Sequence, residues 1–165
     1  MVDAKKTASG KAVQATALLQ AVCINKMEAV SLLLEHKADP DLADSGGMTP
    51  LMMAAQDDHG TILDTLVHHK AAVNAVDDKY CYSAFHVTCL RSNAACAVAL
   101  AKAGCDLTLR ANNGETGKDI AERKDRSIGL DRGQRLLHHK AAIDAVGVLQ
   151  LGPGQKSINL DNEND

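Results

Sequence analysis

The sequence predicts an all-α solenoid of about four stacked helix-turn-helix-loop repeats, and three observations predict it. A pattern recurs at a fixed period, a helix-opening signal precedes each copy, and the apolar residues are those that suit thin, closely packed helices. Leu66 to Val76 reads LVHHKAAVNAV and Leu136 to Val146 reads LLHHKAAIDAV, differing only in Val/Leu, Val/Ile and Asn/Asp. The same pattern returns as LLEHKADPDLA from Leu33 to Ala43 and, more loosely, as LAKAGCDLTLR from Leu100 to Arg110. Self-similarity at a period of roughly 20–50 residues decides the architecture before local propensity does. The chain is 45% hydrophobic with one Phe, two Tyr and no Trp, so Ala, Leu and Val carry the core. Such residues favour close helix packing.

The openers are Thr16-Ala17-Leu18, Thr49-Pro50-Leu51, Ser83-Ala84-Phe85 and Thr116-Gly117-Lys118, spaced by 33, 34 and 33 residues. A Thr or Ser hydroxyl caps a helix N-terminus, and Pro50 fits the first turn, where its missing N–H costs nothing. Each marker therefore starts a short first helix, with Ala21, Ala54, Ala55, Thr88, Cys89 and Ala121 placed for close approach of a neighbour. Val30, Leu33 and Leu34, then Ile62, Leu63, Leu66 and Val67, then Val98 and Leu100, recur at helical spacing and predict a second helix in each unit. Asn25 and Asp58 lie between the paired helices, where a left-handed residue ends a helix tightly. Lys37, Lys70, Gly104 and Lys140 follow the second helices. The polar stretches after them, around Asp44 and Gly47, Asp78, and Asn113 and Gly114, read as extended turns. A single hairpin cannot bury its apolar stripe alone, so the units must stack.

These residues resemble the ankyrin repeat, most closely in the second unit: Thr49-Pro50-Leu51-Met52-Met53-Ala54-Ala55, His59, Leu66-Val67, Ala71, Val73-Asn74 and Asp77. The resemblance runs from about Thr16 to Val146 and implies stacked helical pairs with finger-like loops on one side. It also implies protein binding through the finger tips and the outward side of the first helices. Carried over by alignment, the fingers supply Met48, Lys79, Tyr80, Tyr82, Asn113 and Glu115. The first helices supply Cys23, Ile24, Gln56, Asp57, Leu90, Arg91, Arg123 and Lys124. Tyr80, Tyr82 and Arg91 are the expected anchor, because Tyr gives a large contact area with little rotamer entropy to lose. The competing reading is that the two tyrosines only close their own finger over its neighbour; alternation favours one of them pointing outward.

The pattern departs from the family in three places. The histidine expected after the opener survives only as His86, with Leu19, Met52 and Asp119 in its place elsewhere. Lys118 stands where leucine is expected. The distance from Thr116 to Lys140 is 24 residues, against 21 from Thr49 to Lys70. Arg126, Ser127, Gly129, Asp131, Arg132 and Gly133 crowd the place where the fourth unit's second helix should begin, which predicts an irregular polar cap. The expected division is a flexible N-terminus with a possible partial cap at 1–15, repeats near 16–48, 49–82, 83–115 and 116–146, and a flexible acidic tail at 147–165.

Catalytic and metal chemistry fit poorly. His68-His69 and His138-His139 recur at one place in two repeats, so repetition and a favourable helix C-terminus explain them. His86 and Cys89 share a helix face, but a closed zinc site needs about two more ligands, and a nucleophilic Cys needs a base and an orienting group. Five cysteines without a C-x-x-C pair, and no secretory signal after Met1, suggest a reducing compartment, the cytoplasm or the nucleus. A net charge of -3 gives no basic excess for nucleic acid, and no apolar run reaches the roughly 18 residues of a membrane helix. The expectation is a non-enzymatic adaptor or inhibitor, monomeric when unbound, with a protein partner and neither metal nor cofactor. The alternatives are a subunit that stacks on itself or on a larger assembly, and a thiol or metal enzyme at His86 and Cys89.

Overall fold

A computed structural model describes residues 17–127 of the chain. The opener Thr16, the termini, the His138-His139 copy and the second helix expected in the fourth unit lie outside the described residues. Seven helices follow in order: α1 (Ala17–Cys23), α2 (Met27–Glu35), α3 (Pro50–Gln56), α4 (Gly60–His68), α5 (Ala84–Arg91), α6 (Ala94–Lys102) and α7 (Gly117–Ser127). They form three hairpins, α1/α2, α3/α4 and α5/α6, with α7 opening a fourth unit. The first helices stack in one row, α1 on α3, α3 on α5 and α5 on α7; α2, α4 and α6 stack in a second row. Among the described residues the fold is an all-α solenoid.

The openers act as the sequence predicts. Thr49 sits in extended backbone and its hydroxyl accepts from the Met52 N–H, with Pro50 in the first turn. Ser83 forms a reciprocal cap with His86. The Thr116 hydroxyl accepts from the Asp119 N–H, while the Asp119 carboxylate accepts from the Thr116 N–H. Each cap satisfies donors that a helix start leaves open, worth about 1 kcal/mol.

Helix ends are equally regular. Asn25 and Asp58 adopt left-handed backbone, as expected, and Ser92 does the same in the third unit. Lys37, Lys70 and Gly104 repeat the device at the ends of α2, α4 and α6. After each, the next N–H reaches back to a carbonyl of the last turn: Ala38 to Leu33, Ala71 to Leu66 and Cys105 to Leu100. The reversal this creates lets a second helix return beside its first within a few residues.

The core is one seam running through both rows. Leu18, Val22, Val30, Leu51, Ala54, Ala55, Ile62, Leu63, Leu66, Cys96 and Leu100 are all buried. Each large aliphatic side chain so buried contributes about 1.5–3 kcal/mol. The alanines at Ala54 and Ala55 leave room for the neighbouring first helix, which is why the inner row packs tightly.

The fourth unit differs from the expectation in one respect. Residues Arg126 and Ser127 were expected to interrupt the chain near the start of a second helix. Instead α7 runs for eleven residues, against seven in α3, and Asp125 continues the helix where Asp58 turns left-handed. The inserted residues therefore begin by lengthening the first helix. Lys118, where the other units carry Leu18, Leu51 and Phe85, is exposed and reaches Glu122 at 3.9 Å.

Candidate functional site

Three fingers project between successive units, each closed by an equivalent backbone bond: Asp44 N–H to Met48 C=O, Asp77 N–H to Tyr82 C=O, and Ala111 N–H to Glu115 C=O. The second is organised by Asp77, which is only 4% exposed. Its carboxylate accepts from the N–H groups of Lys79, Tyr80 and Tyr82 at 2.8, 2.7 and 2.9 Å. Charge-assisted bonds of this kind are about twice as strong as neutral ones, and they set the path of the tip. Asp44 does the same less completely in the first finger, accepting from Gly46 and Met48.

The fingers are tied to one another. Asp78 N–H donates to Gly46 C=O at 3.3 Å, and Asn112 N–H donates to Tyr80 C=O at 2.9 Å. The Asn112 amide also donates to Lys79 C=O at 3.0 Å. Gly47, Cys81 and Gly114 occupy one register position, and all three are left-handed. At Gly47 a Cβ would sit 2.6 Å from the Asp78 nitrogen, so the close approach of the first two tips requires glycine there.

On the second finger the aromatics form a ladder running inward. The Tyr80 ring, 48% exposed, lies 5.4 Å from the half-buried Tyr82 ring, which lies 5.7 Å from the buried His86 ring. The Lys79 ammonium sits over Tyr80 at 4.7 Å from the ring centre. His86 fixes the base of the ladder. Its Nδ1 accepts from the Ser83 N–H and hydroxyl, so Nε2 carries the proton and donates to Leu109 C=O at 3.1 Å in the loop of the same unit that leads to the third finger. Burial pushes the His86 pKa below its ordinary value, against the raising effect of the Leu109 and Glu115 carbonyls.

Residues expected from separate elements meet on one side. Arg123 of α7 forms a two-pronged pair with Glu115 of the third finger, at 2.8 and 3.1 Å. Glu115 chiefly, with help from the Tyr82 phenol, raises the Arg123 pKa, and Arg123 lowers that of Glu115. Lys124 donates to Leu90 C=O at 2.6 Å, bringing α7 against the end of α5 beside exposed Arg91. Leu90 is 38% exposed. Asn113 donates its amide to Glu115. Tyr80 and Tyr82 of the second finger, Leu90 and Arg91 at the end of α5, Asn113 and Glu115 of the third finger, and Arg123 and Lys124 of α7 thus lie on adjoining elements.

The others lie one or two units away. Asp57 is exposed at the end of α3, whereas Gln56 is half-buried and its carbonyl accepts from Asn93. Met48 packs against the core and offers only part of its side chain. Cys23 and Ile24 are exposed at the end of α1, Ile24 to 65%.

Sequence reasoning missed Asn93. It donates to Ala55 C=O at 2.8 Å and Gln56 C=O at 3.2 Å, stapling the end of α3 to the next hairpin. The place belongs to Lys26 and His59 in the preceding units, and an Asn that breaks that series was the available signal.

The His86 and Cys89 pair lacks the properties of a catalytic couple. Burial raises the Cys89 thiol to about 12, so it stays protonated near neutrality, and both His86 ring nitrogens already serve the backbone. His68 directs Nδ1 to Asp64 C=O at 2.7 Å, four residues back in its own helix.

Geometry defines the class: a solenoid of helical hairpins with bonded fingers along one edge. A family model described as ankyrin repeats in three copies matches residues 2–77. The crystal structure of the ankyrin repeat domain of Bcl-3, described as a unique member of the IkappaB protein family, matches with a TM-score of 0.64 at 28% identity, over 76% of this chain and 51% of that one. The fold is that of an ankyrin-repeat domain. Among curated proteins, a putative palmitoyltransferase ZDHHC13 of Danio rerio is 34% identical over 103 residues, covering 62% of this chain and 16% of that protein. Ankyrin repeat domain-containing protein 63 of Homo sapiens is 44% identical over 52 residues, covering 32% and 14%. The chain spans a small part of both curated relatives and about half of the structural one. No helix among the described residues is long and apolar enough to cross a membrane.

Proposed function

We propose that the chain is a non-catalytic binding module, an adaptor or inhibitor inside the cell, that holds a protein partner on its second and third finger tips and the adjoining ends of α5 and α7. Ankyrin repeats are protein–protein interaction modules, and the match to the Bcl-3 repeat domain accords with that use. The observation that carries the site is the convergence of Tyr80, Tyr82, Leu90, Arg123 and Lys124 from three elements into one bonded surface. An aromatic platform fixed from beneath loses little entropy on binding, and the neighbouring arginines can fork onto carboxylates or carbonyls.

The test is affinity capture with the intact chain, identification of the retained protein, and repetition with Tyr80→Ala, Tyr82→Ala and Arg91→Ala combined. Hot-spot truncations of this kind cost about 2 kcal/mol or more each, so capture should fall by at least about a hundredfold. Helical circular dichroism should be unchanged. Undiminished capture by a folded triple variant removes the site.

A further inference from the structure

Charge along the binding edge is divided, and the division points to the chemistry of the partner. At the end of α3 stands exposed Asp57, and exposed Asp78 stands on the flank of the second finger beside Lys79, whose ammonium sits over the Tyr80 ring. One unit further on, the end of α5 carries Arg91, which has no ion pair or hydrogen bond among the described residues. The facing stretch of α7 adds Arg123 and Lys124. Glu115 answers Arg123 there. Glu122 and Asp119, also on α7, pair with Lys118 and cap Thr116 respectively. Apolar Leu90 adjoins Arg91 at the end of α5, and the Tyr80–Tyr82 stack stands on the second finger.

Resting on the protein-binding reading above, we infer that this surface takes an extended acidic segment of its partner. Carboxylates of the segment meet Arg91, Arg123 and Lys124, and an apolar side chain of the segment meets Leu90 and the tyrosines. Asp57 and Asp78 set its direction, because a carboxylate run continuing toward α3 meets like charge. Arg91 is the determinant, since it is the cation whose guanidinium no group of the described residues engages. Arg123 is held ready by Glu115, and a partner carboxylate joins or replaces that pair. The same arrangement disfavours nucleic acid, whose phosphates would face Asp57 and Asp78 along the rest of the edge.

The experiment selects binders to the intact chain from a displayed library of random peptides, then measures the recovered peptides by fluorescence anisotropy. Peptides rich in Asp and Glu with an adjacent apolar residue are expected. Their affinity should fall about tenfold between roughly 50 and 300 mM salt, as exposed charge contacts are screened. Arg91→Glu should weaken them about tenfold more, and Asp57→Lys, which lengthens the basic track, should strengthen them several-fold. Neutral or basic binders that are still lost on Tyr80→Ala with Tyr82→Ala overturn the acidic assignment and leave the protein-binding reading standing. Peptides indifferent to every one of these substitutions overturn both. Concentration-dependent self-association that Arg91→Glu abolishes would show a second copy on this face and also overturn the assignment.

Discussion

Gly117 opens α7 at the place held by Ala17, Pro50 and Ala84 in the other units. A Cβ there would lie 2.6 and 2.7 Å from two carbons of the Phe85 ring and 3.3 Å from the Cys89 sulfur. Carbon pairs prefer about 3.5–4.0 Å, so the methyl of Gly117→Ala overlaps the ring by nearly 1 Å at two atoms. Phe85 is buried, and Cys89 blocks one side, so the strain is relieved mainly by α7 lifting from α5. Overpacking of this size costs about 1–3 kcal/mol. The helix preference for Ala over Gly returns at most about 1 kcal/mol, and less in the first turn. The net loss is therefore about 1–2 kcal/mol, or roughly 3–8 °C in Tm if the unit melts with the rest. Thermal and urea unfolding measure it, and hydrogen exchange of the α7 amides shows whether the loss is local, as nearest-neighbour stacking predicts. Earlier units carry leucine where Phe85 stands and accept Pro50 or Ala84 opposite, so adding Phe85→Leu to Gly117→Ala should recover at least about 1 kcal/mol relative to additivity. Gly117→Ala as stable as the parent, with α7 exchange unchanged, would refute the argument.

Two further outcomes follow from buried polar groups. His86 has a folded pKa below its unfolded value of about 6.5, so its contribution is complete above that value and is lost as the pH falls from there through the lowered folded pKa; Tm should drop progressively below about pH 6.5, and His86→Gln should flatten that part of the slope. Asp77→Ala leaves three N–H groups of the second finger without their acceptor, which should cost about 2–3 kcal/mol and raise hydrogen exchange at Lys79, Tyr80 and Tyr82 while α1 and α2 stay protected.

Much of this fold was legible because repeats announce themselves. Thr49, Ser83 and Thr116 cap as their residue types require, and Asn25 and Asp58 turn left-handed as such residues readily do. Ser92 makes the same turn without a residue that advertises it; the neighbouring units impose the reversal, and the serine accepts the strain. Cys81 is a parallel case, left-handed where the other two fingers have glycine. The course of α7 through Asp125 was not legible, because the Arg-Ser-Gly-rich stretch after it reads as a break and helix propensity alone does not place its start. Strict alternation would put Tyr80 and Tyr82 on one face; the left-handed Cys81 between them turns the chain, leaving Tyr80 exposed and Tyr82 half-buried. Contacts between units more than 30 residues apart, such as Asn93 with Ala55 or Lys124 with Leu90, have no local signature, since they arise only once the hairpins are stacked.

The bonds that run from tip to tip bear on how this molecule yields to force. Each helix touches only the units beside it, so the body can bend a little at every seam, like a stack of coins. Along the opposite edge, Gly46, Asp78, Tyr80 and Asn112 stitch neighbouring loops into a single ribbon. A ribbon of that sort resists stretching, so curvature must open by fanning the convex side while the loops keep their spacing. Whatever touches one loop therefore meets a ruler whose gradations are already fixed.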